Sequence, residues 1–139
     1  MSSVFSKIIA REIPAHFVYE DDHVAAFLDI AQTTKGHTLI VTKTEYTDIS
    51  ELPEDVAAHL FSVATKVSKA VQKAFRAKGV NILGNNGAVA GQTVFHFHLH
   101  IIPRYDDRDE LTIRLKNNHG NVNYSDYKER AESIREALL

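Results

Sequence analysis

The chain has 139 residues, of which 44% are hydrophobic, so it is long enough for one compact domain with a real core and too short for much more. Its formal net charge of −2 gives no general field that would attract nucleic acid or an anionic membrane, so an anionic ligand would have to be bound locally. The absence of cysteine excludes disulfides, thiolate nucleophiles and thiolate zinc sites. No stretch has the pattern of a signal peptide or of a membrane span of about 20 apolar residues. We therefore expect a single domain over residues 1–139, a cytoplasmic location, and neither nucleic acid nor membrane as a partner.

The first half of the chain predicts a short helix followed by strands. Phe5, Ile8 and Ile9 stand among polar residues at helical spacing, and Pro14 is expected to end that helix. Short runs rich in β-branched and aromatic side chains follow, separated by turn-like segments. They predict three strands, at residues 17–19, 24–28 and 38–41.

The second half begins with the strongest helical pattern of the chain. Apolar side chains three or four positions apart predict one helix over about residues 53–77, namely Val56, Leu60, Val63, Val67, Ala70, Val71 and Ala74. Two further strands, at residues 80–83 and 94–102, are predicted to form a hairpin around a glycine-containing loop.

The C-terminal part is polar from residue 106 to 123, which indicates a loop. Ser125 is then predicted to cap a last helix that contains Ala131, Ile134 and Leu138. Because most strands follow one another directly and only one long helix connects strands, the pattern predicts an α+β fold. We expect a five-stranded antiparallel sheet with a long helix and a C-terminal helix.

Three histidines at alternate positions carry the clearest chemical signal. On a strand, His96, His98 and His100 would project from one face, while the phenylalanines and aliphatic residues between them would fill the other. Neighbouring histidines on that face would be about 6.6 Å apart. The pattern allows three interpretations: polar positions on a solvated sheet face, imidazole ligands of zinc, iron or copper, or a site for phosphoryl chemistry.

The segment before the histidines favours phosphate. Residues 84–93 contain three glycines that allow close backbone approach, together with amides and a hydroxyl that can hydrogen-bond phosphate oxygens. The glycine spacing matches neither the P-loop nor the dinucleotide fingerprint, and by itself an ordinary hairpin loop would explain it equally well. Next to the three histidines it indicates an anion site.

Asn85 and residues 91–102 closely resemble the signature of the histidine triad (HIT) family, in which three histidines alternate with apolar residues. The resemblance also covers residues 5–13, 18–30, 36–43 and 103–105, and is nearest to the short bacterial members of the HINT-like branch. It implies a HIT-like fold joined across a homodimer by the long helix and the strand at residues 80–83.

For catalysis, the resemblance implies that His98 attacks the α-phosphorus of a nucleotide and forms a nucleotidyl-histidine that water then hydrolyses. Neutral imidazole is a good nucleophile near pH 7, and a covalent intermediate divides one displacement into two easier steps. His100, Gln92 and Thr93 would stabilise the phosphoryl oxygens, with Thr93 in the place where many relatives have serine. His96 would support the orientation of the nucleophile.

For nucleotide binding, the resemblance implies that Asp29 accepts hydrogen bonds from the ribose hydroxyls, since a carboxylate can accept from both. It places an apolar clamp around the base, made of Phe5, Ile8, Leu28 and Ile30. His37 would lie near the phosphate, and Asn85 would close the phosphate pocket. Each of these residues also has a purely structural interpretation: core packing for the apolar set, a strand end for Asp29 and a turn for Asn85.

No metal and no cofactor is expected. Zinc-containing bacterial relatives take ligands from two cysteines near the N-terminus, a histidine after the third strand and the first histidine of the triad. This chain has Ser3, Ser6 and Glu45 at the first three positions, and serine hydroxyls are poor zinc ligands. Local packing must replace the metal.

The leading expectation is a purine nucleoside phosphoramidase that cleaves the bond between AMP or GMP and an amine. Hydrolysis of dinucleoside polyphosphates is the alternative within the same class. A nucleotide-binding module with little turnover and a histidine metalloenzyme are the alternatives from other classes.

Overall fold

The computed structural model describes residues 2–139, and its helices and strands follow the predicted order. Two short 3-10 turns, at Ile49–Glu51 and Ala88–Ala90, precede the long helix and the last strand. The elements are α1 (Val4–Ile9), β1 (Phe17–Glu20), β2 (Val24–Leu28), β3 (Thr38–Thr42), α2 (Glu54–Phe75), β4 (Gly79–Leu83), β5 (His98–Arg104) and α3 (Tyr124–Leu138).

The five strands form one antiparallel sheet in the order β1-β2-β3-β5-β4. This confirms the predicted α+β architecture and the pairing of the last two strands. In the register of β3 with β5, Val41 lies opposite His98 and Leu39 opposite His100. Strand β5 is paired on both sides, with β3 and β4, which fixes the spacing of His98 and His100.

The two faces of the sheet are covered by different helices. On one face Phe97, Leu99 and Ile101 pack with the apolar side of α2. This is the burial expected for an amphipathic helix whose apolar residues recur every three or four positions. On the other face α1 packs through Phe5 and Ile8 onto an apolar group made of Ala25, Phe27, Leu39 and Val41. The histidines share this second face with α1.

The first helix is shorter than predicted. It ends at Ile9, and Arg11 adopts a left-handed conformation with φ of 65°. The chain therefore leaves the helix before Pro14, which does not end it. At the other end Ser3 caps the helix by accepting a hydrogen bond from the backbone N–H of Ser6.

The prediction that the histidine strand begins at Val94 was wrong. Strand β5 starts at His98, and the backbone of residues 94–96 bends instead of pairing. The Phe97 N–H donates to the carbonyl of Tyr46, 2.7 Å away, outside the ladder. Because of the bend, Phe95 is 50% exposed and does not fill the core.

The C-terminal helix is present, but its cap differs from the prediction. Asn123 is the N-cap residue and forms a capping box with Asp126, whereas Ser125 lies inside the helix and donates its hydroxyl to the Asn123 side chain. No residue of this helix is buried, and Ile134 and Leu138 are exposed. Within residues 2–139, no helix is long and apolar enough to cross a membrane.

Candidate active site

A cavity of about 460 Å³ opens between α1, the end of β2 and the start of β5. One end is apolar and lies against α1, and the other end is polar and reaches the histidines and the loop before β5. Every residue that the sequence analysis assigned to the site lines this cavity, except His37 and His96. These two lie behind it, buried at 3% and 0% exposure.

His98 presents one ring nitrogen to the cavity. Its Nδ1 lies 2.7 Å from the main-chain carbonyl of His96, and since a carbonyl only accepts, Nδ1 must carry the proton. This hydrogen-bond pattern leaves Nε2 unprotonated, with its lone pair free. The ring of Phe5 packs edge-on against His98 with centroids 4.8 Å apart. The unprotonated nitrogen of His98 is thus assigned, and its ring is held on two sides.

His100 is oriented by a chain of polar contacts. The backbone N–H of Thr33 donates to His37 Nδ1 at 3.3 Å, so His37 carries its proton on Nε2. That nitrogen lies 3.0 Å from His100 Nδ1 and 3.6 Å from Asp29 Oδ2. His100 therefore accepts at Nδ1 and keeps a proton on Nε2, which makes it a hydrogen-bond donor on the cavity side.

His96 is held at both ring nitrogens. Its Nε2 donates to the carbonyl of Thr42 at 2.6 Å, and its Nδ1 accepts from the Ser3 hydroxyl at 2.5 Å. The ring does not reach the cavity. Its contribution to the site is the main-chain carbonyl that orients His98.

Burial keeps the histidines of the site neutral near pH 7. It lowers the pKa values of His37, His96 and His98 below the ordinary value and, together with the nearby imidazoles of His98 and His37, lowers the pKa of His100 to about 4. A neutral His98 is the form that can attack phosphorus.

The turn that carries Asp29 depends on one glycine. Gly36 has a φ of +94°, and a Cβ placed there would lie 2.7 Å from the ring of Phe75 and 2.9 Å from Val71. Only glycine fits this conformation beside α2. The tight turn brings His37 back beside Asp29, whose backbone N–H donates to the His37 carbonyl at 3.0 Å.

The loop before β5 supplies the other polar groups of the cavity. Asn85 and the exposed Thr93 line it, and Gly91 has a φ of +96°. Gln92 lines it too, but its buried side chain is engaged with the backbone: the amide nitrogen donates to Thr47 and Val94 carbonyls, and the oxygen accepts from the Gly87 N–H. In this arrangement Gln92 holds the loop, and its assignment as a phosphate donor stays a prediction.

The apolar end contains the predicted base clamp and several residues that sequence reasoning missed. Ile30 is 92% exposed at the rim, while Phe5 and Ile8 form the buried wall. The missed lining residues come mostly from the segment between α1 and β1 and from neighbouring strands, where no motif marks them: Val4, Ile13, Pro14, Ala15, Phe27, Leu39 and Val94. These residues line the cavity because α1 packs onto the sheet, which the sequence alone does not show.

Two polar clusters bear on metal binding. Ligand atoms of Asp29, His37 and His100 lie within 4.8 Å of one another, the only group of three in residues 2–139 that could hold an ion. A metal there would compete with the hydrogen bonds that orient both imidazoles. At the position where the resemblance implies zinc in bacterial relatives, the Nδ1 lone pair of His96 accepts from Ser3, and the hydroxyls offer poor ligands. The residues present at that position do not fit zinc.

Comparison with known proteins agrees with this fold. The sequence model of the HIT domain matches residues 10–107. The chain is 43% identical over 135 residues to the protein hit of Bacillus subtilis, covering 97% of this chain and 93% of that one. The chain belongs to the HIT-domain family.

Solved structures show the same relationship. The crystal structure of a HIT family member from Bacillus subtilis aligns with a TM-score of 0.96 and 42% identity, covering 100% of this chain and 99% of that one. The histidine triad nucleotide-binding protein from Candida albicans aligns with a TM-score of 0.87 and 30% identity, covering 99% and 97% of the two chains.

Proposed function

We propose that this protein hydrolyses or transfers nucleotides by attack of His98 Nε2 on the α-phosphorus of a purine nucleotide conjugate. HIT-family proteins are nucleotide hydrolases and transferases, and the observation that carries the proposal is the fixed tautomer of His98. The His96 carbonyl holds the proton on Nδ1, so Nε2 of His98, which lines the cavity, keeps a free lone pair. A nucleophile prepared in this way needs no separate base.

The reaction has two displacements. In the first, Nε2 of His98 bonds to phosphorus and the bond to the leaving group breaks, with the leaving amine taking a proton from solvent at the cavity mouth. In the second, water attacks phosphorus and gives up one proton to solvent, the P–N bond to His98 breaks, and the nucleoside monophosphate leaves. The Nε2–H of His100 and the Thr93 hydroxyl are the proposed donors to the phosphoryl oxygens, where negative charge grows.

The charge of the cavity favours a nucleoside phosphoramidate as the substrate. Among the described residues, none that lines the cavity is lysine or arginine, and the histidines beside it are neutral because burial lowers their pKa values. A polyphosphate leaving group would bring two or more extra negative charges without a cation to offset them. An AMP or GMP amidate brings a single charge, which hydrogen-bond donors can accommodate.

Asp29 is the proposed ribose ligand. Its Oδ1 already accepts from the Ala31 N–H at 2.8 Å, which fixes the carboxylate, and Oδ2 lies on the side of His37. Asp29 lines the cavity and has a carboxylate oxygen within 4.8 Å of a His100 ring nitrogen, so a ribose bound to Asp29 would lie beside the phosphate end. Phe5, Ile8, Leu28 and Ile30 would then enclose the base, and Asn85 would close the phosphate end.

We also propose a homodimer built from α2 and β4. Strand β4 is at the edge of the sheet, and apolar side chains are exposed on it and on the helix: Phe61, Phe75, Ile82 and Leu83. An edge strand with exposed apolar residues is a surface that proteins normally cover. Analytical ultracentrifugation would return twice the chain mass for the dimer.

The cytoplasmic location and the single domain over residues 1–139 stay predictions.

The substrate is tested by comparing three compounds on one preparation: an AMP-amidate, adenylylated lysine and a diadenosine polyphosphate. We expect the first two to be cleaved with a higher kcat/KM than the third. Preference for the polyphosphate would overturn the leaving-group argument. Tight nucleotide binding without turnover of any compound would identify a binding module instead of an enzyme.

A further inference from the structure

We infer that Ser3 is a positioning residue for the nucleophile, acting through His96 in the place where zinc-containing relatives are expected to hold their metal. The inference concerns a hydrogen-bonded group made of Ser3, Ser6, Glu45 and His96, here called the Ser3 cluster. It deepens the proposed function, on which its catalytic consequence rests. The tautomers of His96 and His98, which the inference says Ser3 fixes, can be measured without any turnover.

The orientation of His98 depends on a carbonyl that the sheet does not hold. The Nδ1 of His98 lies 2.7 Å from the His96 carbonyl, yet residue 96 lies in the bend before β5 and takes no part in the ladder. Two contacts therefore set the direction of this carbonyl: the Phe97 N–H of the same peptide group, which donates to the Tyr46 carbonyl at 2.7 Å, and the bonds that hold the His96 side chain.

That side chain has two anchors, and Ser3 is one of them. The ring of His96 is fully buried, with Nε2 bonded to the Thr42 carbonyl on β3 and Nδ1 bonded to the Ser3 hydroxyl 93 residues away in sequence. Without the hydroxyl, Nδ1 would be a buried acceptor with no partner, which favours either rotation of the ring or exchange of the proton between its nitrogens.

Ser3 is itself fixed by the rest of the cluster. Its backbone N–H donates to Glu45 Oε1 at 2.5 Å, and the Ser6 hydroxyl donates to the same oxygen at 2.8 Å. The Ser3 oxygen also accepts from the Ser6 N–H at 3.0 Å. The hydroxyl proton of Ser3 points at His96, because His96 Nδ1 is the unprotonated nitrogen and can only accept, whereas the Ser6 hydroxyl is farther away at 3.4 Å.

The cluster joins the nucleophile to the helix that forms the wall of the cavity. Phe5, two residues after Ser3, contacts the rings of both His96 and His98, with centroids 5.7 and 4.8 Å apart. In a zinc-containing relative a metal would tie the N-terminal segment to the first histidine. Here the Ser3–His96 hydrogen bond makes that connection, and the Glu45 carboxylate holds Ser3 in place.

The test compares three single variants. Ser3→Gly removes the hydroxyl but costs the helix cap only a few tenths of a kcal/mol, Ser3→Thr keeps the hydroxyl, and Ser6→Ala removes a hydroxyl of the same cluster that does not contact His96. For the AMP-amidate we expect Ser3→Gly to lower kcat about tenfold, the value of one hydrogen bond, with KM within about twofold of the parent. Ser3→Thr and Ser6→Ala should keep kcat within about threefold.

A general loosening of α1 would give a different result, because α1 carries Phe5 and Ile8 of the cavity wall and its displacement would raise KM. Equal kcat in Ser3→Gly and Ser6→Ala, or a loss in Ser3→Gly that lies in KM alone, would overturn the inference.

Imidazole ¹⁵N–¹H spectra supply the readout that does not need activity. The parent protein should show His98 as the Nδ1–H tautomer and His96 as the Nε2–H tautomer, and Ser3→Gly should show a mixture at one or both residues. Unchanged tautomers in Ser3→Gly would overturn the inference even if the protein proved to be an enzyme. If no nucleotide is turned over, the proposed function fails, and these spectra still decide whether Ser3 positions the two histidines.

Discussion

The low pKa of His100 predicts a loss of stability in mild acid that one substitution should remove. Burial, followed by the neighbouring imidazoles, lowers the pKa of His100 in the folded protein to about 4, whereas in the unfolded chain it returns to about 6.5. Between these two values the unfolded state binds the proton and the folded state does not. Stability is therefore fully present above about pH 6.5 and is lost as the pH falls toward about 4.

The magnitude follows from the two pKa values. Going from pH 7 to pH 5, one such histidine reduces the free energy of unfolding by about 2 kcal/mol. With a urea dependence of about 2 kcal/mol per molar for a small protein, the unfolding midpoint would move by about 1 M. His100→Gln removes the titrating imidazole. The glutamine side-chain oxygen can accept the hydrogen bond from His37 Nε2 in place of His100 Nδ1.

The assay is urea unfolding of both proteins at pH 7 and pH 5. From pH 7 to pH 5 the free energy of unfolding of the parent should fall by about 2 kcal/mol more than that of His100→Gln. The other buried histidines contribute equally to the pH dependence of both proteins. Identical pH dependence in the two proteins would refute the reasoning, since it would mean that His100 titrates in the folded protein as it does in the unfolded chain.

Three further outcomes are expected. Asp29→Ala should raise KM for an AMP-amidate more than it lowers kcat, because ribose contacts are similar in the ground state and the transition state; a loss confined to kcat would contradict the ribose assignment. Gly36→Ala should reduce the free energy of unfolding by roughly 2 kcal/mol, because Gly36 has a positive φ and an added Cβ would contact the Phe75 ring. Gly120→Ala is the control, since Gly120 has a φ of +91° but no neighbour within 4 Å of an added Cβ. Equal losses of unfolding free energy in the two variants would show that the contact with Phe75 is unimportant. Chelation with EDTA should leave activity unchanged, and stoichiometric zinc or iron with activity lost on chelation would favour a metalloenzyme.

The alternation of apolar and polar residues was sufficient to predict the sheet, the long helix and the face on which His98 and His100 lie. All three depend on local periodicity, which a strand or a helix imposes on its own sequence. The strand boundary was missed because the Tyr46 carbonyl takes the N–H of Phe97 and directs the chain away from the ladder. A contact between segments about 50 residues apart has no local signal.

The same distinction applies to the candidate site. The motif identified the histidines, but not which atoms hold them, because the partners come from remote segments: Ser3 for His96 and His37 for His100. For Gln92 the motif indicates a contact with phosphate, but its side chain is bonded to the backbone of the Gly87 and Thr47 segments and holds the loop in place. The helix cap at Asn123 was missed because Ser125, two positions later, also has a side-chain oxygen that could accept a hydrogen bond from the first turn of the helix.

Covalent catalysis by His98 can be tested by mass spectrometry of the protein quenched within milliseconds of mixing with an AMP-amidate. A covalent adenylyl group should be found on the peptide that contains His98 and be absent in His98→Asn, which should also lose turnover. Steady hydrolysis by the parent with no adduct at any quench time, or an adduct on another residue that persists in His98→Asn, would contradict the role of His98 as nucleophile.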